Sequence, residues 1–353
     1  MRSVSVVMAT YNGAEFVGEQ LRSLAAQTVR PAEVIVGDDG SVDDTVGLVR
    51  RFAEHAPFPV HVLVNQRRLG YGENFLQAAS RASGEYIAFC DQDDVWCPDK
   101  VAVSLDALRA SGVDLFVHRA SVIDRSGRRV GSFSQGIRRT AVHPPLQLAP
   151  WSVFYGCTMM FPRRLLALLD PTRRGPHTFD HHGLLSHDLW VYFLASTLGR
   201  VATDTRALIA YRQHGANATP SILGAGIRGW FRGLGLPAHP DSPRAAAADH
   251  RAVLLGELTE ATDDPQLART AARAARYWTM IGRLERGRLD MYRPPELRQR
   301  LHRGVRLVRA GAYRSYGRGG LGRGLLAKDV AVGVLGLNRR PEWAFPRHPT
   351  TSS

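Results

Sequence analysis

Over its first 120 residues the chain alternates β-branched runs with amphipathic helical runs, and this rhythm restricts its fold more than any other feature. Val4-Ser5-Val6-Val7-Met8-Ala9 is expected as a strand, Thr10 to Gly13 as a turn, and the segment carrying Phe16, Leu21 and Leu24 as a helix. Val34 to Gly37 follows as a second strand, Asp44 to Phe52 as a helix and Val60 to Val64 as a third strand. Asn74 to Ala79 belongs to a third helix, and Tyr86 to Cys90 is the fourth strand. Strands that alternate with helices predict a mostly parallel sheet covered on both faces, with ligands bound at the carboxyl ends of its strands.

The chain places its polar clusters at those ends: Thr10-Tyr11-Asn12, Asp38-Asp39-Gly40-Ser41 and Asp91-Gln92-Asp93-Asp94. In the third cluster three carboxylates occupy four positions, and their repulsion must be offset by a cation or by hydrogen bonds. Oxygen-rich sites suit Mg²⁺ and Mn²⁺, which in turn hold phosphate oxygens. A plainer reading makes Asp94 or Asp99 the cap of a helix starting near Pro98. In the second cluster Ser41 or Asp43 suffices to cap the following helix, so Asp38 and Asp39 are left over for a ligand.

Beyond this half, Asp114 to His118 and Ser121 to Asp124 are expected as short strands, and Gly156 to Phe161 as another. Arg125 to Pro150, rich in Pro, Gly, Ser and Arg, is expected as a long loop or cover. Residues 221 to 338 are helical by pattern, with glycine-rich breaks at 224–235 and 317–324, and a disordered tail is expected from 339. Cys90, Cys97 and Cys157 form neither a disulfide framework nor a zinc spacing. No apolar run approaches the roughly 20 residues that span a bilayer. Charge is uneven: residues 1–220 carry 23 Lys+Arg against 21 Asp+Glu, whereas residues 221–353 carry 23 against 11.

The three clusters, in this order and at these intervals after Val4 to Ala9, resemble family 2 glycosyltransferases, over roughly residues 1–220. The form Asp91-Gln92-Asp93-Asp94-x-Trp96 resembles the bacterial rhamnosyltransferase branch of that family. The resemblance implies a GT-A (Rossmann-like) α/β fold: a mostly parallel mixed sheet with helices on both faces, followed here by a mostly helical extension. Residues 1–112 would be the nucleotide-sugar half, 113–220 the acceptor half, and 221–338 the extension. By the same resemblance Thr10 and Tyr11 line the nucleotide pocket, Asp39 contacts the base, Asp38 supports it, and Asp91 and Gln92 lie on the donor. Asp93 would ligate Mg²⁺ or Mn²⁺ at the diphosphate.

Inverting sugar transfer needs a base to take the acceptor hydroxyl proton. In Ser186-His187-Asp188-Leu189-Trp190, Asp188 matches the family's base before a helix; as a residue alone it could equally serve as that helix's cap. His214, after an expected strand Ala207 to Tyr211, would return to the metal, and Arg212 could instead face a phosphate. Cys157 is expected in packing, not as a nucleophile. His177, His181 and His182 are expected on an acceptor loop.

Arg273, Arg276, Arg283, Arg286, Arg303 and Arg306 recur at helical spacing among Leu284, Leu289, Leu301 and Leu307. This pattern suits a solvated helix pair, an anionic membrane surface or, as a rival, nucleic acid. The expected activity is metal-dependent, inverting transfer from a dTDP- or UDP-sugar, rhamnose among the candidate sugars. The acceptor would be a glycan or a polyprenyl-diphosphate-linked glycan in bacterial cell-surface polysaccharide synthesis. The enzyme would be cytoplasmic, peripheral at the inner face of the membrane. Two alternatives stand beside it: a sugar-nucleotidyltransferase, against which the absence of a Gly-rich, Lys/Arg-containing loop after the first strand counts, and a silent sugar-nucleotide or nucleic-acid binder.

Overall fold

A computed structural model describes residues 3–178, 183–215 and 243–335 of the chain. The expected break at 224–235, the tail from 339, and His181 and His182 lie outside these residues. The first half runs β1 (Val4–Thr10), α1 (Val17–Ala25), β2 (Glu33–Asp38), α2 (Thr45–Ala53), β3 (Val60–Val64), α3 (Tyr71–Ala79) and β4 (Tyr86–Asp91). Then come β5 (Val95–Trp96), α4 (Lys100–Ser111), β6 (Leu115–Ile123), β7 (Arg129–Phe133), β8 (Ala141–His143), β9 (Met159–Pro162), α5 (His187–Leu198) and β10 (Val201–Arg212). The described helical part comprises α6 (Arg244–Ala261), α7 (Pro265–Tyr292), α8 (Leu297–Arg309) and α9 (Gly324–Lys328), followed by a π-helical turn, Asp329–Val334.

One mixed sheet takes the strand order β3-β2-β1-β4-β9-β6-β10-β5, with β7 on β6 and β8 on β10. Strands β1 to β4 are mutually parallel where paired, β9 is antiparallel to β4 and β6, and β6 is parallel to β10. The register Thr10↔Asp38 and Ala9↔Asp91 brings the carboxyl ends of β1, β2 and β4 level. The three polar clusters therefore stand side by side.

Period-two alternation sorts the β1 side chains between the two faces. Val4, Val6 and Met8 pack with Leu21 and Leu24 of α1, Val49 of α2 and Val101 and Leu105 of α4. Val7 joins Phe75, Phe89, Trp190 and Phe193, and that second cluster continues into Leu254, Trp278, Ile281 and Leu307 of the helical part. Each fully buried side chain of this kind contributes about 1.5–3 kcal/mol. Trp278 closes the junction: its indole N–H donates to Thr197 at 3.2 Å, and Trp151 and Phe193 meet it edge-on.

Several expectations change. The two short strands expected between Asp114 and Asp124 are one long strand, β6, because β10 pairs with it from Leu115 to Ile123, past the polar pair His118-Arg119, while β9 flanks it at Phe116 and Val117. The expected long loop from Arg125 to Pro150 holds two edge strands, β7 and β8, each paired on one side only. Gly156–Thr158 is a 3-10 turn ahead of β9. Asp99, not Asp94, precedes α4, and neither side chain caps that helix. Asp43 holds the start of α2, its Oδ1 accepting from the Thr45 amide at 3.1 Å, whereas Ser41 turns its hydroxyl to Asp38 and Asp44, directly before the helix, makes no side-chain cap bond.

Candidate active site

The end of β1 is held by side chains from β2. Thr10 Oγ1 donates to Asp38 Oδ2 at 2.7 Å, and Ser41 donates through its amide to Oδ1 (2.8 Å) and through its hydroxyl to Oδ2 (2.6 Å). Asn12 adopts φ 48°, accepts from the Val42 amide and donates its own amide to Ser41 Oγ. The left-handed backbone at Asn12 turns the chain back toward the β2 loop, where asparagine tolerates it better than most residues.

Asp39 is buried and gathers a third loop. Its Oδ1 accepts from Leu69 N (2.6 Å) and Asn65 Nδ2 (3.1 Å), and its Oδ2 from Gly70 N (2.8 Å). A carboxylate offers about four lone-pair sites, so one acceptor position stays open among the described residues. No motif in the sequence singles out the loop Asn65 to Gly70; only this long-range bonding reveals it. It also delivers Arg68, whose guanidinium lies 4.1 Å from the centre of the Tyr11 ring.

Gln92 bridges β4 to β1. Its Oε1 accepts from Tyr11 N at 2.9 Å and its Nε2 donates to Tyr11 O at 3.1 Å. Gly13 leaves the room: a Cβ there would fall 2.1 Å from Gln92 Oε1. Trp96 is buried beneath the Lys100 ammonium, which sits 3.5 Å from its ring centre. The two residues that suggest a rhamnosyl-type donor are thus engaged in holding the fold.

The acidic cluster divides by depth. Asp94 is fully buried, accepts from Arg212 N at 3.0 Å and lies beside Asp91 and the Cys157 thiol. Burial, together with Asp93 and Asp91, raises its pKa well above the usual carboxylate range. Asp91 is pushed up to about 7 by burial and by the negative charges of Asp93 and Asp188. Lys100, buried by the same cluster, donates to Cys157 O at 2.5 Å, and burial pulls its pKa down to about 8. Burial raises the Cys157 thiol well above its ordinary value, as a packing cysteine requires.

Asp93 and His214 meet across 121 residues of sequence: His214 Nε2 lies 2.8 Å from Asp93 Oδ2. Both are nearly buried, and the imidazole is stacked on Phe16 with centroids 4.8 Å apart. Arg212 does not face a phosphate. Its side chain is 1% exposed, bonded to Glu19 Oε2 (2.6 Å) and to the carbonyls of Asp93, Asp124 and Arg125. It braces the Asp93 turn.

Asp188 occupies the first turn of α5. Ser186 Oγ (2.5 Å) and Leu189 N (2.8 Å) both donate to its Oδ1, and Oδ2 has no hydrogen bond among the described residues. The negative charges of Asp93 and Asp188 both act on Asp91, so the start of α5 faces the acidic turn after β4. Gly156 lies beside this helix start: a Cβ there would fall 2.6 Å from His187 Nε2 and 3.6 Å from Asp188 Cβ.

His187 itself turns inward. It stacks on Phe75 (4.0 Å) and meets Phe89 edge-on, with no hydrogen bond to either ring nitrogen among the described residues. Burial lowers its pKa from 6.5 to about 4. Its folded value is depressed, so the neutral ring is favoured in the fold. As pH falls from 6.5 toward 4, the unfolded chain takes up a proton that the folded chain refuses. Stability should fall by up to about 3 kcal/mol across that window. His187→Leu should remove this share of the pH slope, as read from urea unfolding at each end of the window. A parent–variant difference that is the same at both ends would contradict it.

His177 donates its amide to the Gly183 carbonyl, next to the bridge between Pro176 and Leu184.

Residues 5–169 match the family model described as Glycosyl transferase family 2. Among curated relatives, dTDP-rhamnosyl transferase RfbG of Shigella flexneri is 30% identical over 126 residues, 35% of this chain and 44% of that protein. An Escherichia coli protein, UDP-Glc:alpha-D-GlcNAc-diphosphoundecaprenol beta-1,3-glucosyltransferase WfgD, is 25% identical over 200 residues, 54% of this chain and 69% of that protein. The crystal structure of S. aureus TarS 1–349 in complex with UDP-GlcNAc superposes with a TM-score of 0.53 at 15% identity, covering 94% of this chain and 92% of that one. The last likeness extends the GT-A fold assignment beyond the family match.

Proposed function

We propose that the chain, whose residues 5–169 match the model of glycosyl transferase family 2, is an inverting, metal-dependent transferase that moves a sugar from a nucleoside-diphosphate donor to a glycan or lipid-linked acceptor. The observation that carries this reading is the convergence of the β1, β2 and β4 ends with Asp188 on one crowded set of carboxylates. Asp39, with its open acceptor position, takes a base N–H, while Asp38 keeps the Thr10 and Ser41 loops in place. Tyr11, capped by Arg68, lines the base, and Asp91 reaches toward the ribose and sugar. Gln92 acts by holding Tyr11.

A divalent cation fits the residues present. Asp93 and His214 bring a carboxylate oxygen and an imidazole nitrogen within 2.8 Å of one another, beside carboxylates whose mutual repulsion the buried Lys100 relieves only in part. Such an ion, Mg²⁺ or Mn²⁺, would neutralise the leaving diphosphate. Asp188 receives the acceptor hydroxyl proton on Oδ2, while Ser186 and Leu189 hold Oδ1 and so fix the carboxylate plane. Attack from the Asp188 side displaces the diphosphate and inverts the anomeric carbon.

The names of RfbG and WfgD describe a dTDP-rhamnosyl transferase and a UDP-Glc-dependent enzyme with a diphosphoundecaprenol-linked acceptor. They support a dTDP- or UDP-sugar donor, rhamnose included, and a role in cell-surface polysaccharide assembly. No helix among the described residues is long and apolar enough to cross a membrane. In this reading a lipid-linked acceptor is met at the membrane's inner face.

Screening nucleotide sugars by thermal unfolding tests the donor assignment. At a hundredfold excess over the dissociation constant, a true donor adds about 2.7 kcal/mol and raises the melting temperature by about 4 °C, provided Mg²⁺ is present. Stabilisation by nucleoside triphosphates with pyrophosphate release, and by no nucleotide sugar, would point to a nucleotidyltransferase instead.

A further inference from the structure

Helix α8 buries Arg300, Gly304 and Leu307, and Gly304 packs so close to Val334 that a Cβ there would fall 3.2 Å from it. On another face stand Leu297 (52% exposed), Leu301 (53%), Val305 (42%) and Val308 (55%). Their spacing of four, four and three residues gathers them on one stripe of the helix. Single exposed apolar side chains are ordinary, but four in register on one short helix mark a contact surface. Leu326, Val330 and Leu335, in the segment that packs on α8, are also exposed.

The charge beside the stripe is one-sided. At 100° per residue, Arg298, His302 and Arg309 occupy the adjacent arc, and all three are exposed, as is Arg306 beyond them. From Leu297 to Lys328 the chain carries nine Lys+Arg and no Asp or Glu. Arg300 is excluded from this surface, because its guanidinium is buried on the carbonyls of Pro294, Pro295 and Val334. On the far side of the arginines, a groove of about 1030 Å³ between α7 and α8 is lined by Arg283, Arg303 and Arg306 and by the Arg293–Asp290 pair, over Met280 and Leu307.

We propose that this face of α8 docks the protein on an anionic lipid bilayer. Leu297, Leu301, Val305 and Val308 enter the boundary between headgroups and acyl chains, and the flanking arginines meet lipid phosphates. A purely polyanionic partner such as nucleic acid would engage the arginines and leave the apolar stripe in water. The stripe decides for lipid. The surface goes beyond the transfer reaction, since docking requires neither donor nor acceptor.

Co-sedimentation of the full chain with vesicles tests it. The parent should bind vesicles rich in phosphatidylglycerol, release them at high salt, and ignore pure phosphatidylcholine. Leu301→Glu with Val305→Glu, both at exposed positions, should lower partitioning by about tenfold or more with an unchanged melting temperature. Arg298→Glu with Arg309→Glu should lower it too and blunt the salt dependence. Asp188→Asn should bind vesicles as the parent does, so that loss of transfer and loss of docking are separable. Equal binding to neutral and anionic vesicles, parent-like binding by the Leu301/Val305 variant, or retention on duplex DNA but not on vesicles would overturn the proposal.

Discussion

Asp188→Asn is expected to slow sugar transfer by about 10²–10⁴-fold while the donor binds as it does to the parent. The substitution preserves shape and keeps an oxygen where Ser186 Oγ and Leu189 N donate. What it changes is Oδ2, the atom with no hydrogen bond among the described residues, which becomes an amide nitrogen unable to accept a proton. Initial rates alongside donor-binding calorimetry separate the two effects. If turnover survives, Asp188 serves α5 as a first-turn residue and the base lies elsewhere. If donor binding collapses with the rate, the residue belongs to the donor site rather than the acceptor side.

Asp93→Ala should lower transfer by about 10²-fold or more and remove its dependence on added Mg²⁺ or Mn²⁺. Around this turn Asp91, Asp93, Asp94 and Asp188 act on one another, and burial compounds the repulsion at Asp91 and Asp94. Lys100 relieves part of it from below, but its ammonium is held by Cys157 O and the Trp96 ring. Arg212 is committed to Glu19 and three carbonyls. His214→Ala should be milder, because the Asp93 carboxylate would still be present to hold the ion. Metal titrations of the rate in the three proteins distinguish these outcomes. A variant at Asp93 with the parent's metal dependence would assign the ion to other residues.

Much of the first half is legible in the amino-acid sequence, for a physical reason. Its inner strands β1, β2 and β4 are short, apolar and buried, so hydrophobic runs and strands coincide there, and the polar residues at their ends stand out. The second half obeys no such pattern. Strand β6 contains His118 and Arg119, which break an apolar run, yet both are accommodated: His118 is buried and Arg119 donates to Ile137 O. Edge strands β7 and β8 carry no alternation strong enough to distinguish them from loop. The roles of Gln92, Trp96 and Arg212 depend on partners far away in the sequence, 193 residues in the case of Arg212 and Glu19. The arginine-rich helices mislead in a similar way: regular spacing does not distinguish an exposed Arg306 from Arg288, which is buried in a network with Glu285 and Asp329. That network also takes hydroxyl bonds from Tyr292 and Tyr313.

Calorimetric titration of a nucleoside diphosphate into the parent chain, with and without Mg²⁺ or Mn²⁺, bears most directly on the joined strand-end site. A metal-bridged donor site at Asp93 and His214 requires saturable binding that strengthens markedly with the ion and is lost in Asp93→Ala. Binding of equal strength without the ion, or an Asp93→Ala protein that binds as the parent does, would show that the acidic turn after β4 does not hold the diphosphate through a metal.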